Sequence, residues 1–154
     1  MQLATFGAGC FWGVEDTFMK TKGVTKTSVG FMGGTTKDPS YKEVCSKGTG
    51  HVEVCQVEFD ESVISYQELL DIFWDLHDPT QGDRQGYDVG SQYRSVIFYH
   101  SEEQNKIAEK SKKTLQEKLH KTITTTIEPA QEYYLAEEYH QQYFKKNGGG
   151  ACHI

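Results

Sequence analysis

Cys10 follows the small residues Gly7-Ala8-Gly9 and precedes Phe11-Trp12. That pattern reads as a thiol at a strand-to-helix turn. A cysteine there faces unpaired backbone N–H groups and the positive end of a helix dipole, and both favour the nucleophilic thiolate. An inert core cysteine has the same local spacing, because free cysteines are common small core residues. Gly7-x-Gly9-x-x-x-Gly13 misses the dinucleotide-binding G-x-G-x-x-G spacing by one residue, and no acid follows at the usual distance, which argues against a nucleotide.

Other residues supply partners for a thiol. Alternation along the run 51–59 puts Glu53 on one face with Cys55, Val57 and Phe59. A carboxylate among apolar side chains is costly while charged, so the site favours the protonated form that a general acid needs. A strand-end glutamate that reaches solvent is the competing reading. Tyr41 and Tyr93 belong to two long polar segments. Uncharged phenols donate hydrogen bonds and suit a polar oxygen in an apolar pocket, although each is equally a packing tyrosine. Cys152 follows three consecutive glycines. A thiol tethered in that way has the profile of a resolving cysteine in a redox cycle. His51, His77, His100, His120 and His140 show no ligand or triad spacing and read as structural or surface residues.

These residues need elements to position them. Leu3–Phe6 predicts a strand. A helix follows from Cys10, with Phe11, Val14 and Phe18 on one face and the acids Glu15 and Asp16 early, where the dipole favours them. Gly23 suits its stop. Val24–Phe31 and His51–Phe59 predict strands, separated by a Gly/Thr/Ser-rich loop over 32–50 with room for one helical turn. Ser65 with Glu68, and Ser101 with Gln104, predict capping boxes. The first opens a helix with Leu69, Ile72, Phe73 and Leu76 inward. The second opens one with Ile107, Ala108, Ser111, Leu115 and Leu119 inward. Between them lie the polar loop 78–92 and a strand Tyr93–Tyr99. Thr122–Ile127 predicts a strand ended by Pro129, and Tyr139–Lys145 a short helix. The order implies an α/β (α+β) fold, a two-layer sandwich of helices on a mixed sheet with a ferredoxin-like βαββ core.

The chain has 154 residues, enough for one ordinary domain with its own core. We expect a single catalytic domain over 1–154, with a mobile glycine-rich tail from about 147. With 36% hydrophobic and 25% charged residues the composition is globular. A net charge of −6 argues against nucleic acid or an anionic membrane as partner. No stretch approaches the roughly 18 apolar residues of a membrane span, and the N-terminus shows no signal-peptide pattern. The four cysteines, at 10, 45, 55 and 152, match no zinc spacing. A cytoplasmic protein with reduced thiols is therefore expected.

The stretches GCFWGVE, GGTTKDPSYKEVCSKGTGHVEV, DVGSQYRSVIF and AEEYHQQYFKKN, in this order, resemble the peptide methionine sulfoxide reductase A family. The likeness runs from residue 6 to about 147. It implies that Cys10 attacks the sulfoxide sulfur and becomes a sulfenic acid. It implies that Glu53 protonates the oxygen, that Tyr41 and Tyr93 hydrogen-bond it, and that Phe11 and Trp12 wall the methyl group. Asp88 is implied in substrate binding, and Cys152 in a disulfide with Cys10 that thioredoxin reduces. The implied substrate is the S epimer of methionine sulfoxide, in proteins or free. The implied enzyme is monomeric, with no metal or organic cofactor. The tail departs from the family's N-P-x-G-Y-C, reading NGGGAC, and Cys45 is the alternative resolving thiol. Two rival functions use the same residues: another thiol enzyme, such as a peroxidase or thiol transferase, and a non-catalytic module that binds methionine through Phe11 and Trp12.

Overall fold

Strands β1 (Gln2–Ala8) and β3 (Val52–Phe59) run antiparallel at the centre of the molecule, with Phe6 opposite Cys55. The computed structural model describes residues 2–45, 49–86, 88–143 and 146. Among these, β3 also pairs with β2 (Val24–Met32), and β1 with β6 (Ser95–Tyr99), both antiparallel. The sheet is completed at its edges by β7 (Thr126–Pro129), parallel to β6, and β8 (Tyr134–Leu135) beside β2. Its order is β7-β6-β1-β3-β2-β8. The inner four strands carry the split βαβ order of the expected ferredoxin-like core.

Helices α1 (Phe11–Met19), α3 (Tyr66–Leu76) and α4 (Glu102–Gln116) cover one face. Their apolar stripes meet the even alternation of the strands there. Phe6 packs on Phe18 at 5.4 Å and on Phe73 at 5.2 Å, and all three rings are fully buried. Each such ring contributes about 1.5–3 kcal/mol on leaving water. Cys55 lies in the same core, where burial pushes its thiol well up. The opposite face, with Met32, Val52, Val54, Val96 and Phe98, is covered by Ala130 and Tyr133. Among the described residues, no helix is long and apolar enough to cross a membrane.

Several local expectations change. The Ser65–Glu68 capping box is complete, but Gln104 reaches back to the His100 N–H instead of Ser101, so the second box is half formed. Helix α4 ends at Gln116, leaving Leu119 exposed. Strand β7 starts at Thr126 and contains Pro129, which a sheet edge tolerates. Residues 138–140 form a 3-10 turn, and Tyr143 and Lys146 are helical, with the Lys146 N–H donating to the Gln142 carbonyl at 3.1 Å; Lys145 lies outside the described residues, as does the glycine-rich tail from 147. Glu15 and Asp16 fall beyond the first turn of α1, which holds no acid, and Glu15 is 1% exposed.

The first long loop is closed by its own polar groups. Gly34 N–H donates to His51 Nδ1 at 3.1 Å, and His51 Nε2 then donates to the Thr36 carbonyl at 2.6 Å. Thr35 N–H meets the Thr49 carbonyl at 2.8 Å. The loop carries the single helical turn α2 (Tyr41–Cys45). A Cβ on Gly34 would overlap the Thr49 carbonyl and stand 2.5 Å from the His51 nitrogen. Gly34→Ala must therefore move backbone, and we expect a loss of about 1–3 kcal/mol. Denaturant unfolding checks the loss, and a parallel activity assay should fall with it because α2 is displaced.

Candidate active site

Gly9 occupies the left-handed region at φ 92, and this lets the chain turn from β1 directly into α1. Cys10 is the N-cap residue of that helix and is 8% exposed. The next residue's N–H, an orphan donor of the first turn, donates to Glu53 Oε1 at 3.2 Å. Glu53 reaches it from β3, where it stands opposite Phe31 and is 1% exposed. The strand alternation therefore delivers a buried carboxylate to the residue beside the thiol.

Two loops bring phenols to the same place. Tyr41 opens α2, and its N–H donates to the Glu137 carboxylate at 3.2 Å. Tyr93 closes a 3-10 turn, Ser91–Tyr93, before β6. Burial, then the charge of Glu53, pushes both phenols up, so they stay protonated donors at neutral pH. The charges of Cys45, Asp88 and Cys10 also act on Tyr93, which gathers these groups around one phenol. Asp88 comes from β5 (Asp88–Val89), whose partner strand is β4 (Arg84–Gln85). This short ribbon lies inside the loop expected to lack structure.

Cys45, at the end of α2, interacts with Tyr41, Tyr93 and Glu53. Burial pushes its thiol up, while hydrogen bonds with Tyr41, Tyr93 and Gln92 pull it down. Gln92 is buried beside it.

The aromatic wall is layered. Phe11 is fully buried and packs on Phe31, Tyr41 and His140. Trp12 is half-buried above it and stacks on Tyr143 at 3.8 Å. Its indole N–H donates to His140 Nδ1 at 2.9 Å. His140, read from sequence as structural or surface, thus belongs to this wall; it is 1% exposed and 4.3 Å from the Tyr41 ring. Its signal was its place in AEEYHQQYF, not any metal or triad spacing. Cys152 lies outside the described residues.

A buried carboxylate, a helix-start thiol and uncharged phenols gathered at the start of α1 define a thiol-based oxidoreductase on an α/β sandwich. The chain belongs to the peptide methionine sulfoxide reductase family, whose profile matches residues 2–154. It is 56% identical over 154 residues to the peptide methionine sulfoxide reductase MsrA of Methanoculleus marisnigri, covering 99% of this chain and 94% of the relative. It also resembles the crystal structure of reduced Mxr1 from Saccharomyces cerevisiae, with a TM-score of 0.93 and 41% identity over 99% of this chain and 91% of the other. A structure of Mxr1 in complex with Trx2 gives a TM-score of 0.66 and 30% identity, over 92% and 84%.

Because indole only donates, His140 Nδ1 must be unprotonated to accept from it. Burial pushes His140 below its ordinary value of 6.5. The imidazole is therefore neutral when folded, and its contribution is complete above 6.5 and lost as pH falls through the lower folded value. We expect Trp12 emission to stay constant from pH 8 to 6 and to change only in more acid solution. A transition centred at 6.5 or above would contradict a buried neutral His140.

Proposed function

We propose that Cys10 reduces methionine sulfoxide by attacking its sulfur. The attack forms a bond between the Cys10 sulfur and the substrate sulfur while the oxygen is protonated. That S–S bond and the S–O bond of the substrate then break as the protonated oxygen passes to Cys10 and the thioether leaves with the electron pair, so Cys10 is oxidised to a sulfenic acid and the sulfoxide is reduced. Glu53 supplies the proton that the oxygen takes up. Tyr41 and Tyr93 donate hydrogen bonds to that oxygen, Trp12 packs against the methyl group with Phe11 behind it, and Asp88 helps hold the substrate. The 3.2 Å bond from the Phe11 N–H to Glu53 is the observation that carries this reading. It keeps a buried acid one residue from the thiol. A neutral, apolar group with one strongly polar oxygen is what uncharged donors beside an indole recognise. Residue types alone do not select an epimer; the S sulfoxide follows from the family, in which each epimer has its own enzyme.

The sulfenic acid then condenses with a second thiol, releasing water and leaving a disulfide. We assign that thiol to Cys152. It lies nine residues beyond Tyr143, a length of chain that spans up to about 30 Å. Tyr143 itself rests on Trp12, two residues from Cys10. Thioredoxin is the reductant this reading implies, as the Trx2 complex of the yeast relative supports. Such a cycle suits a monomer in the reducing cytoplasm.

Cys10→Ser should abolish reduction of methionine S-sulfoxide in a single-turnover assay with free-thiol counting on both epimers. Glu53→Gln should slow the chemical step by about 10²–10⁴-fold, the ordinary contribution of a positioned acid, with the smallest loss at low pH. Cys152→Ser should complete one turnover and then arrest with thioredoxin present. Undiminished cycling in that variant would move the resolving role to Cys45.

A further inference from the structure

Glu15 is a buried carboxylate that the reduction chemistry does not use. It stands on α1 one turn after Phe11, and both its oxygens are engaged. The Thr27 hydroxyl donates to Oε2 at 2.9 Å, and the Gln142 N–H donates to Oε1 at 2.6 Å. Gln142 occupies the left-handed region at φ 54. For a residue other than glycine this costs on the order of 1–3 kcal/mol and persists only where the surroundings hold it. The neighbours of Gln142 show what the turn achieves. Before it, the Gln141 amide clamps the edge of β2, accepting from the Val29 N–H and donating to the Val29 carbonyl, both at 2.9 Å. After it, Tyr143 lies on Trp12 with ring planes only 9° apart.

We propose that Glu15 is a positioning residue for the substrate wall: by holding the Gln142 N–H it fixes the left-handed turn that lays Tyr143 flat on Trp12. The indole is then gripped from two sides by one stretch of chain, with His140 at its N–H and Tyr143 on its face. Burial pushes the Glu15 carboxyl up, while its bonds to Gln142 and Thr27 and the charge of Lys146 pull it back and Asp16 opposes them. The Gln142 bond needs only an acceptor oxygen, so an amide at position 15 serves as well as a carboxylate. The proposal rests on the reading of Trp12 as the wall against the substrate methyl group.

The test compares Glu15→Ala, Glu15→Gln, Tyr143→Ala and the Glu15→Ala/Tyr143→Ala double variant, with a short peptide carrying one methionine sulfoxide as substrate. Glu15→Ala should raise KM roughly tenfold, equivalent to about 1.4 kcal/mol, with kcat within about threefold because Cys10 and Glu53 are untouched. Glu15→Gln should restore KM to within about twofold, as loss of one acceptor is what separates it from the alanine variant. The double variant should be no worse than Tyr143→Ala, because residues acting through one another are non-additive. A Trp74→Phe background leaves Trp12 as the single tryptophan. In it, Glu15→Ala should shift Trp12 emission and Glu15→Gln should not. Additive KM effects, or unchanged emission in Glu15→Ala, would overturn the proposal. If emission shifts as expected but Trp12→Leu leaves KM unchanged, the failure belongs to the role of Trp12 in the site, and the emission data still report on Glu15. If Glu15→Ala does not fold, Glu15→Gln with Tyr143→Ala decides: a tenfold KM rise in the glutamine variant refutes the acceptor role.

Discussion

The bond from the Phe11 N–H to Glu53 ties the first turn of α1 to the middle of the sheet. Each partner solves the other's problem. A helix start leaves N–H groups without intrahelical acceptors, and a carboxylate among Phe31, Cys55 and Val57 needs a donor once it has left water. The strand register that brings them together is narrow. Phe6 opposite Cys55 and Phe31 opposite Glu53 keep the acid on the helix side of β3. A slip of one residue in β3 would turn Glu53 to the other face, among Val52 and Val54, and away from Cys10. The large aromatic core under α1 and α3 fixes that register.

Around this bond the protein assembles donors without adding positive charge. Tyr41 and Tyr93 are both pushed up by burial and remain protonated. Arg94, the residue after Tyr93, is committed to the carbonyls of Ser91 and Gly50. The loop bearing Tyr93 is organised by Asp78, whose carboxylate takes the Thr80 hydroxyl at 2.6 Å and the Gln81 amide at 3.1 Å. The loop bearing Tyr41 is organised by His51. Each loop carries only short regular pieces, α2 in one and the β4–β5 ribbon in the other, and side chains tie these together.

Much of this was legible in the sequence, for reasons that differ by element. The strands at 51–59 and 24–31 and the helices after Ser65 and Ser101 carry strong periodicity and caps, and they form within one to three residues of the expected bounds. Cys10 and Glu53 could be paired because one starts a helix and the other breaks an apolar face. The edge strands β7 and β8 were misplaced or missed because two to four residues carry too little pattern. Glu15 was misread although its position held the signal: it is four residues after Phe11 and three before Phe18, on the stripe that faces the core. A charged residue on that stripe must find partners inside the protein, and its partner Gln142 lies 127 residues away.

His140 shows why the backing of Phe11 and Trp12 is not legible in the sequence. No local spacing marks an imidazole that accepts from an indole 128 residues earlier. The stretch 137–143 has little apolar character, and its structure comes almost entirely from contacts with other parts of the chain. Glu137 takes the Tyr41 N–H, His140 the Trp12 N–H, Gln141 the backbone of Val29, and Gln142 gives its N–H to Glu15. Beyond the short 3-10 turn at Glu138–His140, the segment is held by docking on α1, α2 and β2 together. It can therefore form only where those three elements already meet, which is the rim of the Cys10 site. The polar character that hides the segment from pattern reading is what allows it to join three elements at once.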